Sequence, residues 1–149
     1  MAYQTKITRA RFVYSPFSSE QMHEIGTEML DTMWTRIGKG LNCDDAPAKE
    51  LKPGRNGKRG YPDRKGGHGL QTIRDLFFTG RTKRSTAVIS ASEHRAVIGP
   101  VDSRTDLVLS VNNRREKQWG ISPKDHGVLT KLVLSVLQSA RLISVRKAA

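Results

Sequence analysis

Residues 85–100 read STAVISASEHRAVIGP, and this stretch decides the β component of the fold. It contains two runs rich in Val and Ile, STAVIS at residues 85–90 and RAVIG at residues 95–99, with the polar tetrapeptide ASEH between them. Two such runs joined by a short polar connection are typical of a β-hairpin, and Gly99-Pro100 marks the end of the second strand. The sequence therefore predicts a small antiparallel sheet.

A first amphipathic helix is predicted upstream of the hairpin. Ser18 followed by Gln21 is a capping-box pattern, and Gly38 is predicted to supply the left-handed stop. Between them, apolar residues recur at helical spacing, namely at Met22, Ile25, Met29, Met33 and Ile37. Core packing is the favoured role of this stripe, although its three methionines also suit adaptable contacts.

A second main helix is predicted near the end of the sequence. Ser122 is a candidate cap, Pro123 suits the first helical position, and Asp125 stands where an acidic residue favours a helix N-terminus. The apolar face of this helix comprises Val128, Leu129, Leu132, Val133, Val136, Leu137 and Ala140. That face is wide enough to pack against both the hairpin and the first helix.

Residues 105–113, TDLVLSVNN, are compatible with two structures. Leu107, Leu109 and Val111 alternate as in a strand, which is one interpretation. A helix of one or two turns fits the same residues equally well, so the pattern leaves both open.

Residues 38–69 are rich in glycine and in basic residues. The segment holds eight glycines and three prolines in 32 positions, and seven Lys or Arg residues fall between Lys49 and Lys65. Because this composition provides almost no apolar side chains, we predict a long, flexible basic loop that either stays mobile or becomes ordered on a partner. The first 14 residues alternate loosely, and residues 1–17 are predicted to form a strand or an extended arm.

The length of 149 residues corresponds to a single domain, residues 1–149. The predicted fold class is α+β, with a small antiparallel sheet packed against two main helices, the basic glycine-rich loop at 38–69 and the extended arm at 1–17. No run of about 18 apolar residues occurs, so we expect a soluble protein without a membrane span, made in a cytoplasm.

The charge balance indicates an anionic partner. The sequence has 26 Lys and Arg residues against 14 Asp and Glu residues, a formal net charge of +12. Such an excess favours contact with a phosphate backbone or with an acidic protein surface, while a solvated charged face is the simplest alternative. Aromatic residues make up only 6% of the chain, so any nucleic-acid contact is expected to involve the backbone without base recognition.

Catalytic signatures are absent from the sequence. The four histidines are scattered without metal-ligand spacing, and Cys43 is the only cysteine, so neither a metal site nor a cofactor is predicted. The stretch GRNGKRG does not match a phosphate-binding loop. That pattern requires glycine at position 52, where the chain has Lys52, and Ser or Thr at position 59, where it has Arg59. A nuclease that combines His68 with nearby aspartates has only residue type in its favour.

Two basic clusters with adjacent apolar anchors are the candidate functional residues. In RDLFFTGRTKRS, residues 74–85, an apolar triplet precedes a Thr-Gly turn and three cations; a second basic cluster lies beside Trp119, which is a core anchor or an interface residue. The candidate partner-facing or DNA-facing cations are Arg55, Lys58, Arg59, Arg64, Lys65, Arg81, Lys83, Arg84, Arg114, Arg115 and Lys117. The candidate packing or interface anchors are Leu76, Phe77, Phe78 and Trp119.

The order of these motifs resembles a family of small virion-morphogenesis proteins of tailed bacteriophages, the neck and tail-completion proteins. The resemblance covers residues 55–130 and rests on YPDRK at 61–65, IRDLFFTGRTKRS at 73–85, RAVIGPVD at 95–102 and NNRREKQWGISPKD at 112–125. In that family a first helix precedes a basic loop, an Asp-Leu-x-x-Thr-Gly-Arg-x-x-x-Ser segment leads into a sheet, and an Asn/Arg-rich segment precedes a closing helix.

The resemblance implies a non-enzymatic structural subunit of the virion. It implies an oligomeric ring, with six copies, in the neck that joins head and tail, as a head-tail connector, tail-completion protein or tail terminator. The implied partners are other copies of the chain, adjacent neck, portal-adaptor or tail proteins, and packaged DNA in the channel, with no membrane contact. Assembly would take place in the host cytoplasm. A small nucleic-acid-binding protein that contacts the phosphate backbone is the alternative function.

Overall fold

The protein was analysed as a computed structural model, which describes residues 17–52, 54, 59–73, 76 and 80–147, with side chains as far as residue 139. The elements are α1 (Ser19–Gly38), α2 (Tyr61–Gly67), α3 (Arg81–Arg84), β1 (Thr86–Ser92), β2 (Arg95–Pro100), α4 (Ser103–Arg115) and α5 (Pro123–Lys147). This order confirms the predicted α+β class with an antiparallel pair of strands. The predicted N-terminal arm falls on residues 1–16, which lie outside the described part, and on Phe17.

Helix α1 begins at the predicted capping box. The backbone N–H of Gln21 donates to Ser18 Oγ at 3.1 Å, and the backbone N–H of Ser18 donates to Gln21 Oε1 at 2.9 Å, so each residue satisfies a free donor of the other. The predicted stop is displaced by two residues. Gly38 is still helical, and Gly40 adopts the left-handed conformation with φ 74°. The chain therefore adopts the left-handed turn two residues later than the sequence indicated.

Helix α1 is the centre of the core, because the hairpin packs on it from one side and α5 from another. Its buried apolar residues confirm most of the predicted stripe; they are Ile25, Met29, Met33 and Ile37, together with Trp34. Trp34 was outside the predicted stripe, and its indole N–H donates to Thr86 Oγ1 at 2.9 Å. This bond attaches the C-terminal half of α1 to the start of the sheet.

The hairpin has the predicted position and an irregular register. Thr86 pairs with Pro100 and Ser92 with Arg95, which leaves Glu93-His94 as a two-residue turn. The register shifts between Val88 and Ser90, so Ile89 is the extra residue of a β-bulge. Its side chain is 55% exposed.

Helix α1 approaches the hairpin most closely at Gly26. A Cβ atom at this position would lie 3.0 Å from Val88 Cγ2 and 3.1 Å from Ala96 Cβ, closer than ordinary van der Waals contact. Glycine therefore allows the helix to lie directly on both strands. At Gly38, by contrast, an added Cβ would meet no atom within 4 Å.

This difference predicts opposite effects for the same substitution. Gly26→Leu should destabilise the protein by about 1–3 kcal/mol, because the added side chain forces α1 away from Val88 and Ala96. Gly38→Leu should be neutral or stabilising by up to about 1 kcal/mol, since leucine has the better helix propensity and meets no obstacle. Urea denaturation of both variants measures the two free energies of unfolding. Equal changes in the free energy of unfolding at Gly26 and Gly38 would contradict the close approach of α1 to the hairpin at Gly26.

The ambiguous residues 105–113 are helical and belong to α4. Asp102 caps the helix, because its Oδ1 accepts a hydrogen bond of 2.7 Å from the backbone N–H of Thr105. Thr105 and Leu109 are buried on one side, and Leu107 is 63% exposed on the other. The strand interpretation is therefore wrong, because an alternating pattern this short does not distinguish a strand from a capped helix.

The segment predicted as a flexible basic loop, 38–69, contains regular structure where it is described. It forms α2, and isolated bridges pair Leu41 with Pro47 and Glu50 with Ile73. Ala48 and Lys65 are buried, so the expectation of a loop without packing is wrong for these parts. The physical reason is that the segment packs onto the rest of the chain through backbone hydrogen bonds, which composition does not reveal.

Helix α5 starts at Pro123 as predicted, and the backbone N–H of Asp125 donates to Ser122 Oγ at 3.1 Å. The prediction that α5 packs against both the hairpin and α1 is confirmed only for α1. The main contacts of α5 are with α1, and α1 itself covers the hairpin. Ala140, predicted on the apolar face, lies beyond the described side chains. In the part of the chain that the structure describes, no helix combines the length and apolar character needed to cross a membrane.

Candidate functional site

A buried ion pair joins the end of α1 to the start of α5. Arg36 Nε donates to Asp125 Oδ2 at 2.8 Å, and both side chains are 4% exposed. The remaining guanidinium N–H groups donate to three backbone carbonyls, those of Leu41 at 3.2 Å, Gln118 at 3.2 Å and Gly120 at 2.7 Å. Arg36 therefore joins the end of α1 to the residues that follow it and to the segment that leads into α5, which is a structural role.

Cys43 lies beside this ion pair, with its Sγ 3.8 Å from Arg36 Nη2. Burial raises the pKa of the Cys43 thiol, and the positive charge of Arg36 only partly opposes that effect. The thiol therefore stays protonated at neutral pH, which is the wrong state for a nucleophile.

The segment between α4 and α5 is held by its own polar residues. Asn113 Oδ1 accepts hydrogen bonds from the backbone N–H groups of Gln118 and Trp119, at 3.1 and 2.9 Å. The buried carboxylate of Glu116 accepts from the backbone N–H of Lys49 at 3.1 Å and from Asn42 Nδ2 at 3.2 Å. These bonds hold the segment against the end of α4 and against the chain that follows α1.

The structure places most of the predicted basic residues on the surface. Eight of the eleven are exposed: Arg59, Arg64, Arg81, Lys83, Arg84, Arg114, Arg115 and Lys117. Arg55 and Lys58 lie outside the described residues, as do the predicted anchors Phe77 and Phe78. The exposed cations lie on separate elements, with one group on α3 and another at the end of α4.

Lys65 was predicted to face a partner, and this prediction is wrong. The residue is 1% exposed, and its Nζ donates to the backbone carbonyl of Ile73 at 3.1 Å. Lys65 therefore ties α2 to the segment that leads towards α3. The sequence does not signal this, because a lysine in a run of cations looks the same whether its stem is buried or solvated.

The anchors that are described differ in their surroundings. Trp119 is half-buried, and its ring centroid lies 5.6 Å from that of Trp34 at an interplanar angle of 54°. Such a tilted pair is a favourable aromatic packing geometry. Leu76 is half-buried and has φ 58°, an uncommon conformation for a residue with a side chain.

Asp102 connects the start of α4 with the residues that follow α3. A hydrogen bond from the backbone N–H of Thr105, followed by one from the Ser85 hydroxyl and the charge of Arg81, lowers the pKa of the Asp102 carboxyl below its ordinary value of 3.8. The capping carboxylate thus connects the start of α4 with the residues at the end of α3.

This shift predicts a loss of stability in acid. Because the pKa of Asp102 is lower in the folded than in the unfolded protein, the carboxylate stabilises the fold at neutral pH, and that contribution disappears as the pH falls below about 3.8 through the folded pKa. Melting temperatures recorded between pH 2 and pH 7 should fall less steeply for Asp102→Asn than for the unchanged protein. If the melting temperatures of the two proteins fall in parallel with pH, the Asp102 carboxylate does not contribute to the loss of stability in acid.

Two concave regions with different charge occur on the described surface. One has a volume of 570 Å³ and is lined by Lys49, Glu50, Lys52 and Arg115; we call it the basic cleft. The other has a volume of 380 Å³, lies beside the C-terminal half of α1, and has Glu28, Asp31 and Asp45 among its lining residues. Of the residues lining the basic cleft, only Arg115 was among the predicted partner-facing cations.

The described residues contain no group of three or more His, Cys, Asp or Glu side chains able to hold a metal ion. The polar groups brought together by Arg36, Asn113 and Glu116 are occupied by hydrogen bonds to the chain itself. Exposed cations and exposed apolar side chains are the surfaces described above that other molecules could contact. No protein-family model, no curated protein and no solved structure matches the chain.

Proposed function

We propose that this chain is a structural subunit of a tailed-bacteriophage virion and forms an oligomeric ring in the neck, as a head-tail connector, tail-completion protein or tail terminator. The observation that carries the proposal is the small sheet. Among the described strands, β1 and β2 pair only with each other, so each has an outer edge of backbone groups open to a strand from another molecule. A subunit that is completed by its neighbours needs such an edge.

The exposed side chains of the hairpin support the same function. Ile89 projects from the bulge of β1 with 55% of its surface exposed, and Val101 follows β2 with 61% exposed. A neighbour that pairs with the hairpin would cover apolar surface there as well as satisfy backbone groups. The exposed Leu134 of α5 offers a further apolar contact on another element.

The proposed partners are other copies of the chain, which would build the ring, and the adjacent neck, portal-adaptor or tail proteins. Packaged DNA in the channel is a proposed contact of the exposed cations, through its phosphate backbone. The proposed location is the neck or tail of the virion, after assembly in the host cytoplasm. No catalytic role is part of this proposal.

The test is the mass of the purified protein and its place in a particle. Light scattering should give a multiple of the 16.6 kDa chain mass, and an image reconstruction of the particle should locate the chain in a ring between head and tail. A self-contained monomer that is absent from the neck would overturn the proposal.

A second candidate function is backbone-directed nucleic-acid binding, which the net charge of +12 favours. That function predicts tight retention of the monomer on heparin or duplex DNA, with a steep loss of binding as salt increases. A ring subunit should instead self-associate and bind DNA weakly. Measuring retention and mass on the same preparation separates the two functions.

A further inference from the structure

The basic cleft has more positive charge than the described part of the chain neutralises. Lys49, Lys52 and Arg115 line it together with one carboxylate, Glu50. No ion pair within the described residues involves any of the three cations. The neighbouring Glu116 does not compensate for them, because its buried carboxylate is already bonded to the backbone N–H of Lys49 and to Asn42.

Helix α1 presents a surface of the opposite sign. Glu20, Glu24, Glu28 and Asp31 follow one another at intervals of four, four and three residues, which places them on one face of the helix. All four side chains are exposed, and none forms an ion pair with another described residue. This acidic stripe extends about 16 Å along the helix, at 1.5 Å per residue. It is unexpected in a chain with a net charge of +12.

The acidic stripe and the basic cleft lie on different parts of the molecule. The stripe occupies the solvent face of α1 from its first turn onward, whereas the cleft lies where the segment after α1 meets the end of α4. Two complementary surfaces at different places on one subunit give a head-to-tail contact, in which the stripe of one copy meets the cleft of the next. Head-to-tail contacts of this kind close into rings when the rotation between copies permits.

We infer that the acidic stripe of one copy binds in the basic cleft of the next copy, and that this contact sets the order of subunits in the assembly. The inference rests on the proposed function, since it names the surfaces through which the proposed ring is formed. The partner is a second copy of this chain, because the complementary charge is present on the chain itself. The 380 Å³ concavity beside Glu28 and Asp31 is also lined by Lys39 and Lys124, so the contact is assigned to the exposed carboxylates of the stripe and not to this concavity.

Charge reversal on each surface tests this contact. The stripe variant carries Glu24→Lys, Glu28→Lys and Asp31→Lys, which make the stripe positive, and the cleft variant carries Lys52→Glu and Arg115→Glu, which make the cleft negative. Each variant alone should associate at least about tenfold more weakly than the unchanged chain, because like charges then face each other. Sedimentation velocity at low ionic strength measures the association, and raising the salt concentration should weaken it for the unchanged chain.

An equimolar mixture of the two variants should restore assembly. In the mixture the reversed stripe meets the reversed cleft, and the original stripe meets the original cleft, so every contact is again between opposite charges. A ring with an even number of copies closes with the variants in alternation. The matched controls are Asp44→Lys and Lys131→Glu, which reverse exposed charges outside both surfaces and should leave assembly unchanged.

The outcomes distinguish this inference from the function on which it rests. If the unchanged chain and all variants assemble alike, the ring stands and this contact is wrong. If the cleft variant loses retention on duplex DNA while its self-association is unaffected, the cleft binds phosphate and the inference is overturned. If the unchanged chain stays monomeric at every concentration tested, both the inference and the proposed ring are overturned.

Discussion

Arg36→Ala should destabilise the protein by about 3–5 kcal/mol, among the largest effects expected from any single change described for this chain. The substitution leaves the carboxylate of Asp125 buried without its partner and leaves three backbone carbonyls without their shared donor. An uncompensated buried charge costs more than the lost bonds themselves. Denaturation in urea measures the difference in free energy of unfolding.

The matched control is Lys39→Ala, which removes an exposed cation from the same end of α1 and should change stability by less than about 0.5 kcal/mol. The double variant Arg36→Met with Asp125→Ala should lose less free energy of unfolding than Arg36→Met alone and Asp125→Ala alone lose in sum, because no isolated buried charge remains in the double variant. Additive losses, or a loss from Arg36→Ala no greater than that of the control, would show that the ion pair does not fasten α1 to α5.

Trp34→Ala should have an effect of similar size, a loss of about 3–5 kcal/mol. The indole is 3% exposed, packs against Trp119 at 5.6 Å between ring centroids, and donates its N–H to Thr86 Oγ1. Removing it leaves a cavity where α1, the hairpin and the segment before α5 meet. Because the hairpin supplies the open strand edges of the proposed ring, assembly should weaken together with stability.

The substitution Trp34→Phe separates the two contributions of this residue. Phenylalanine keeps a six-membered aromatic ring near Trp119 but removes the N–H donor together with the five-membered ring of the indole, so its cost should be about 1–2 kcal/mol, less than that of alanine. Thr86 would retain the hydrogen bond that its hydroxyl donates to the backbone carbonyl of Lys83 at 2.8 Å. A loss for Trp34→Phe as large as that for Trp34→Ala would mean that the N–H bond and the five-membered ring of the indole, and not the retained six-membered ring, join α1 to the sheet.

The candidate site was less predictable than the fold. The sequence identified exposed cations such as Arg81 and Arg115, because charged side chains in polar surroundings are usually solvated. It placed Lys65 among them, and the structure buries that residue against Ile73. It also missed Lys49 and Lys52 as parts of one concave surface with Arg115, because these residues are far apart in the chain and only folding brings them together.

Local chemistry explains which elements were predicted correctly from the amino-acid sequence. The capping box at Ser18 and Gln21, the start of α5 at Pro123 and the hairpin at 85–100 each depend on residues within a few positions of one another. Their hydrogen bonds form within one short segment, so residue type and spacing are sufficient to predict them. The same reasoning failed at 105–113, where the pattern is too short to determine its period.

The sequence by itself determined the α+β class, the first helix, the hairpin and the start of the last helix, because these follow from short-range spacing and capping. Only the tertiary structure decided that α1 lies between the hairpin and α5, that Arg36 pairs with Asp125 across 89 positions of the chain, and that the basic cleft exists. The physical reason is that buried charges and concave surfaces depend on contacts between distant segments. Neither composition nor periodicity records which segments meet.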